Sequence, residues 1–228
     1  MARFEGFADK EAKFFKALAK KNDRGWFQAH KSEFEEGWNT PIKLLLSEVK
    51  EAIDGAYAHC ELDEPKVFRI FRDVRFSKDK SPYKTHLGGV IPLKRGGKRI
   101  TDLPMALYFH VGAPTTFGAA GHYMMEPESL ERFRAAVADD MRGRELDRIL
   151  KHLAKKGFPP DSHETLKRVP KGFDPEHPRA EMLKRKGLVV GFPKVPKGLL
   201  ATPKLVQWLT DKCKAAAPLV EWLVFATA

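Results

Sequence analysis

Residues 67–76 read VFRIFRDVRF, and their alternating pattern predicts a β-strand. One face of this strand is expected to carry Phe68, Ile70, Val74 and Phe76, with Arg72 in the same row. The opposite face is expected to carry Arg69, Phe71, Asp73, Arg75 and Ser77. An arginine is costly to bury without a partner. Arg72 is therefore expected either to pair with an acid or to face a cavity that holds an anion.

The rest of the chain places this strand in an α+β fold. Hydrophobic spacing predicts further strands at 85–93, 105–111 and 188–192 and a short strand around Phe117, and short connections favour antiparallel pairing. Helical periodicity recurs at 127–142, at 144–156 and after Thr202-Pro203, with Pro218 as a candidate interruption. We expect a single domain with a helical part (8–55), a strand-rich part (65–125) and a helical and irregular part (127–228), in which an antiparallel or mixed sheet packs against N- and C-terminal helices.

The positive charge of the chain is concentrated near the predicted strand. The 228 residues carry a formal net charge of +11, and between positions 65 and 100 eleven Lys or Arg face only two Asp. Such a segment suits phosphates, carboxylates or a nucleic-acid backbone. Nothing in the composition shows which anion is bound, or whether a reaction follows.

The loop after the strand, SKDKSPYK at 77–84, adds hydroxyl and amine donors for an oxyanion. The candidate ligand-binding residues are Arg72, Arg75, Ser77, Lys80, Tyr83 and Lys84, joined by Arg24 and Lys31 from the helical part. Trp26 is expected to serve as core or lid. Asp73 is expected to reach Arg75 on its own face of the strand.

Three readings of these residues stay open. The first is a site for a small anionic ligand, which requires Arg72, Arg75 and Lys84 to meet in a concave pocket. The second is nucleic-acid binding, with aromatic rings beside a basic groove. The third is a structural protein in which acids from residues 1–64 pair with the cations of the basic segment.

Other classes of site lack support in the sequence. The eight histidines show no metal-binding spacing, although His86, His110 and His122 could converge if the strands pair. We expect no metal and no cofactor. No apolar run suits a membrane helix and no secretory signal is evident, so we expect a cytoplasmic protein with Cys60 and Cys213 reduced.

Three blocks resemble the signature of a known family. They are NDRGWFQAHK at 22–31, FRIFRDVRFSKDKSPYKTH at 68–86 and LKRVPKGFDPEHP at 166–178. Their order and spacing are similar to those of domain of unknown function 2461 over nearly the whole chain. The resemblance implies a widespread cytosolic protein of bacteria and some fungi, and it implies no established activity. The shared positions are Arg24, Trp26, Lys31, Arg72, Asp73, Arg75, Ser77, Asp79, Lys80, Pro82, Tyr83 and Lys84.

Overall fold

A computed structural model describes residues 2–9, 11–75, 78–94, 103–113 and 115–227. The helices of these residues are α1 (Lys13–Lys20), α2 (Arg24–Ala29), α3 (Lys31–Phe34), α4 (Thr40–Ile53), α5 (Pro127–Ala138), α6 (Asp140–Lys155), α7 (Ala180–Leu183) and α8 (Lys204–Thr227). A π-helical segment, Glu35–Asn39, joins α3 to α4. The strands are β1 (Lys66–Val67), β2 (His86–Pro92), β3 (Met105–Gly112), β4 (Phe117–His122), β5 (Pro160–Asp161) and β6 (Leu188–Gly191).

The strands form one sheet in the order β1-β2-β3-β4-β6-β5. Every pairing between them is antiparallel. The predicted strands at 85–93, 105–111, around Phe117 and at 188–192 are confirmed as β2, β3, β4 and β6. The α+β class, with an antiparallel sheet between N- and C-terminal helices, is confirmed as well.

One face of the sheet packs against helices α4 and α8. Helix α4 lies against β1 and β2, and α8 lies against β3 and β4. The side chains of Leu107 and Phe109 on β3 are fully buried in this core. Gly89 allows α4 to approach β2 closely, because a Cβ at this position would overlap the Leu46 side chain. We call the opposite side of β2, β3 and β4 the open face.

The N-terminal segment completes the core beside α4. Phe7 stacks on Trp38 with ring centroids 5.2 Å apart, and its backbone N–H donates to the Leu200 carbonyl at 2.8 Å. Gly6 has a φ of +111°, and a side chain there would overlap the backbone of Ala201. Only glycine allows this close crossing without strain. The π-helical segment contains Trp38, which is 1% exposed.

The prediction of a regular strand at 67–76 is largely wrong. Regular pairing with β2 covers only Lys66–Val67, and the chain then folds back on residues 82–84. The Arg72 N–H donates to the Pro82 carbonyl at 2.9 Å, and the Lys84 N–H donates to the Ile70 carbonyl at 2.8 Å. These local bonds replace a longer ladder along β2. The alternation still holds, because Ile70 is buried and Arg72 half-buried whereas Arg69, Asp73 and Arg75 are exposed.

Two helix boundaries also differ from the sequence-based expectation. The break predicted near residue 143 falls at Asp139, whose carboxylate caps α6 by accepting from the N–H groups of Met141 and Arg142. Pro218 does not interrupt α8. Pro218 has no N–H to donate to the Lys214 carbonyl, and both residues are exposed. The turn expected at Gly96-Gly97 lies outside the described residues.

The irregular segment before α7 is tied to the helices by Arg179. Its side chain is 8% exposed and donates to the carbonyls of Val137 at 2.7 Å and Asp139 at 3.2 Å. It also forms ion pairs with Asp147 at 3.3 Å and Asp140 at 3.7 Å. Gly143 leaves room for the guanidinium, which a Cβ there would overlap. Arg179 therefore satisfies the C-terminal end of α5 and fixes the turn into α6.

We expect Arg179→Ala to lower the free energy of unfolding by about 2 to 5 kcal/mol, because the carbonyls of Val137 and Asp139 lose their donor. Urea denaturation followed by circular dichroism measures the change. Arg144→Ala is the matched control. Its ion pair with Asp140 is exposed, so we expect no measurable change. Equal losses in the two variants would contradict this role for Arg179.

Candidate functional site

The open face carries a connected group of rings. His86 stacks on His110 with centroids 4.2 Å apart, and His110 stacks on Phe117 at 4.8 Å with 17° between the ring planes. Tyr108 lies beside this stack, 5.7 Å from Phe117, and Phe68 lies 6.3 Å from Tyr108. We call His86, His110 and Phe117 the ring column. The antiparallel register creates it, because His110 on β3 pairs with Gly88 on β2 and with Phe117 on β4.

The predicted convergence of histidines is confirmed for two of the three. His86 and His110 stack on the open face, whereas His122 is fully buried at the end of β4. Burial and the neighbouring His86 lower the pKa of His110 to about 4. The His110 ring is therefore neutral at pH 7. Its Nδ1 lies 3.1 Å from the Tyr108 hydroxyl, and burial raises the pKa of that phenol, so both partners are neutral when they share this hydrogen bond.

A cluster of positive groups lies next to the ring column. Burial lowers the pKa of Lys84, and the charges of Arg69 and Arg72 lower it further. Burial also lowers the pKa of His86, with additional contributions from Lys84 and Arg72. We call Arg69, Arg72 and Lys84 the cationic cluster. The Lys84 ammonium donates to the Arg69 carbonyl at 3.2 Å, and among the described residues no carboxylate pairs with Arg69 or Lys84.

Arg72 is the best-anchored member of the cationic cluster. Its side chain is 30% exposed and forms an ion pair with Asp79 at 3.0 Å. Its Nε is buried and has no hydrogen-bond partner among the described residues. Asp79 also accepts from the Ser81 N–H at 2.9 Å. Hydrogen bonds from the side chain and the N–H of Ser81 lower the pKa of Asp79 more than the charge of Arg72 does. The second Nη atom of Arg72 donates to the Tyr83 carbonyl at 3.5 Å, so the guanidinium is only partly satisfied by the protein.

The other predicted basic residues of the block have separate partners. Arg75 forms a two-pronged contact with Asp73, at 3.0 and 2.7 Å, so the expected pairing along their own face is confirmed. Both groups are largely exposed. Lys80 donates to the Val74 carbonyl at 2.9 Å and closes the loop between them. Arg75 and Lys80 are therefore held by the loop itself, and no contact between described residues joins them to Lys84.

Tyr83 lies in the core and not at a ligand surface. Its side chain is 1% exposed, and its ring stacks on Phe27 with centroids 4.2 Å apart. Asn22 accepts from the Tyr83 N–H at 3.1 Å and donates to the Tyr83 carbonyl at 2.9 Å. These contacts connect the segment 22–31, which begins with Asn22, to the loop after Arg72. The buried ring of Tyr83 thus anchors the loop after Arg72 to the core.

Arg24 and Lys31 are exposed residues of α2 and α3. No hydrogen bond or ion pair between described residues joins either of them to the cationic cluster. Trp26 is half-buried, packs on Phe14 and stacks on His30 at 4.0 Å, as a core or lid residue would. Ser77, the remaining predicted site residue, lies outside the described residues, as does Phe76.

The expected pairing with acids from residues 1–64 is found once within the part of the chain that the structure describes. Lys94 pairs with Glu61 at 2.9 Å. Arg72 and Arg75 pair instead with acids of the basic segment itself. Sequence reasoning did not include Tyr108, Phe117 or Arg69 among the candidate site residues. The available signal was His110, which falls on the polar side of β3.

Within the described ranges, no group of His, Cys, Asp and Glu side chains could hold a metal ion. Over the same ranges, none of the helices has the length and apolar character needed to cross a membrane.

The fold and site define an α+β protein with a helix-backed antiparallel sheet, a column of rings on the open face and a cationic cluster at its side. The family model described as "conserved hypothetical protein (DUF2461)" matches residues 10–222, so the chain belongs to this family. That description states no activity. No curated protein matches the chain.

The low pKa of His110 makes the stability of the fold depend on pH. The unfolded chain binds this proton near pH 6.5, whereas the folded chain binds it only near pH 4. Acidification through this window therefore favours the unfolded state. We expect the melting temperature to fall between pH 6.5 and 4, and to fall less steeply in His110→Phe, which retains a ring in the column.

A thermal melt monitored by circular dichroism at half-unit pH steps tests this expectation. His152→Phe is a suitable control because His152 is exposed on α6. The melting temperature of His110→Phe should still fall somewhat on acidification, because the pKa of His86 is lowered too. Identical pH profiles for the wild type and His110→Phe would show that His110 is not the group responsible.

Proposed function

We propose that this protein binds a small anionic ligand, a phosphate or a carboxylate, at the cationic cluster. The observation that supports the proposal most directly is the position of Lys84. Lys84 is half-buried, burial lowers its pKa, the charges of Arg69 and Arg72 lower it further, and no carboxylate of the described residues pairs with it. Like charges held together in a partly buried site are unfavourable unless an anion joins them. Groups whose pKa is shifted by burial and by neighbouring charges are common at functional sites.

Arg72 supplies the geometry that a small anion needs. A guanidinium presents planar donors that match two oxygens of a phosphate or a carboxylate. One Nη atom of Arg72 contacts Asp79 at 3.0 Å, and the other donates to the Tyr83 carbonyl at a long distance of 3.5 Å. An anion at the cationic cluster would compete with the exposed Asp79 carboxylate for the Nη atoms of Arg72.

Binding of inorganic phosphate is the first test. We expect a saturable rise in the melting temperature of the wild type, and affinity at least tenfold weaker in Lys84→Gln, because a charge-assisted hydrogen bond to the anion is lost. Citrate serves as the carboxylate ligand. Sodium chloride at matched ionic strength corrects for general salt effects, and isothermal titration calorimetry gives the affinity.

Arg75→Gln is the matched control for Lys84→Gln. It also removes one positive charge from the same segment, but Arg75 is exposed and already paired with Asp73. Its affinity for phosphate should stay within about twofold of the wild type. Equal weakening in the two variants would point to a diffuse effect of net charge. Absence of binding in the wild type would refute the proposal and leave Arg72–Asp79 as a structural ion pair.

Asp79→Asn tests competition for Arg72. The amide oxygen of Asn can still accept from the Ser81 N–H, so the loop keeps this contact. Removal of the carboxylate charge frees the guanidinium and removes a repulsion toward the ligand. We expect phosphate affinity to rise several-fold, measured by the same calorimetry. Weaker binding in Asp79→Asn would show that Asp79 positions Arg72 and does not compete for it.

A further inference from the structure

A groove runs between α6 and the C-terminal half of α8. It consists of two cavities of about 650 and 310 Å³, which share Glu145, Ile149 and Pro218 as lining residues. We call it the α6–α8 groove. The residues that line it all lie outside the cationic cluster and the ring column, so it is a feature separate from the proposed anion site.

The α6–α8 groove follows about three turns of α6 and has an apolar floor. At one end the Trp222 indole N–H donates to the Arg142 carbonyl at 3.2 Å, and at the other end Leu153 and Ala215 line the same cavity. The two helices are therefore antiparallel, and the path from Arg142 to Leu153 is about 17 Å long at ~1.5 Å per residue. Trp222 is only 6% exposed, and Ile149 is half-buried.

Two strongly exposed apolar side chains stand at the first end of the α6–α8 groove. Met141 is 77% exposed and Phe225 is 60% exposed, and these are the highest values for large hydrophobic side chains among the described residues. Both line the larger cavity. A single exposed apolar side chain needs no explanation. Two that adjoin an apolar groove extend it into a patch, and such patches are typical of interaction sites.

The charges around the α6–α8 groove balance. Its lining contains two cations, Arg142 and Arg148, and two carboxylates, Glu145 and Glu221. Within the part of the chain that the structure describes, no ion pair involves any of these four side chains. The whole chain has a formal net charge of +11, so two copies repel each other over much of their surface. A neutral apolar groove is where two copies can meet without that repulsion.

We propose that the α6–α8 groove is the interface through which two copies of this chain form a symmetric dimer. A two-fold axis brings the same surface of both copies together, so that surface must be complementary to itself. The groove meets this condition, because Met141 and Phe225 of one copy can occupy the apolar part of the groove at Ile149 and Pro218 of the other. The same contact forms in the reverse direction at the same time.

The charges favour a second copy over a strongly charged partner. In a two-fold contact, the cations Arg142 and Arg148 of each copy can face the carboxylates Glu145 and Glu221 of the other, and opposite charges across an interface fix its register. An acidic or a basic partner would match only one of the two pairs and would be repelled by the other. The proposed occupant is therefore a surface with the same balance of charge.

The exposed ring of Phe71 offers no comparable surface. It is 56% exposed, but it lies between Arg69 and Arg72 in the basic segment. A two-fold contact through Phe71 would place these cations against their own copies, and like charges at an interface are unfavourable. Phe71 is therefore a suitable control for the exposed apolar residues of the α6–α8 groove.

Sedimentation velocity over about a hundredfold range of protein concentration tests the proposal. The wild type should form a species of twice the chain mass whose fraction rises with concentration. Phe225→Ala should raise the dissociation constant of the dimer about tenfold or more, because each dimer loses the ring twice. Phe71→Ala should leave it within about twofold of the wild type. Both side chains are exposed, so both variants are expected to remain folded, as circular dichroism will verify.

A charge reversal provides an independent test. Glu145→Lys leaves the α6–α8 groove with three cations and one carboxylate, so two copies should repel each other there and the protein should stay monomeric over the same concentrations. Glu131→Lys is the matched control, because Glu131 is exposed on α5 and does not line the groove. The dimer should persist in this variant.

The outcomes decide the proposal separately from the anion site. A wild type that is monomeric at every concentration overturns the dimer, whatever its affinity for phosphate. A dimer that persists in both Phe225→Ala and Glu145→Lys forms through another surface, which also overturns the proposal. Equal weakening in the variants and in their controls would show a general effect of charge or hydrophobicity. Loss confined to Phe225→Ala and Glu145→Lys supports the α6–α8 groove as the interface.

Discussion

The packing of α4 and α8 on one face of the antiparallel sheet is the constraint on which the site depends. Leu46 on α4 fills the space over Gly89, and Leu107 and Phe109 on β3 are buried on the same side. Because side chains alternate along a strand, the burial of Leu107 and Phe109 places Tyr108 and His110 on the open face. A shift of β3 by one residue would exchange the two sets and destroy both the core and the ring column.

Much of the sheet could be predicted because its signals are local. Alternation identified β2 and β3, and the turn-rich residues around Phe117 indicated a further strand. The segment at 67–76 shows the limit of that reasoning. Its alternation is real and sets which side chains are buried, but alternation does not choose a pairing partner. Residues 70–72 pair with 82–84 instead of extending along β2, and this depends on the return path of the loop.

The candidate site was predictable only in part for the same reason. Arg72 and Lys84 both lie in the segment 68–86. The pairing of residues 70–72 with 82–84 brings their side chains close enough for the charge of Arg72 to lower the pKa of Lys84. Tyr83 also belongs to the block, but its pairing geometry turns the ring toward Phe27 and the core. The Lys84 ammonium reaches the Arg69 carbonyl because residues 70–72 leave the line of β2 and pair with residues 82–84. Phe117 comes from a strand about thirty residues further along, and only the register of β4 reveals its contact with His110.

Arg72 shows why a structural and a functional reading of the block do not exclude one another. Its ion pair with Asp79 holds the loop at 78–82 in place, and this contact is exposed enough to exchange. A fully buried pair would have fixed the guanidinium permanently, because separating buried charges is costly. An unpaired arginine beside Lys84 would have repelled it with nothing to offset the charge. The Arg72–Asp79 pair lies between these extremes, because the exposed Asp79 carboxylate neutralises Arg72 without burying either charge. In the proposed site, this carboxylate would give way to an anion that also contacts Lys84.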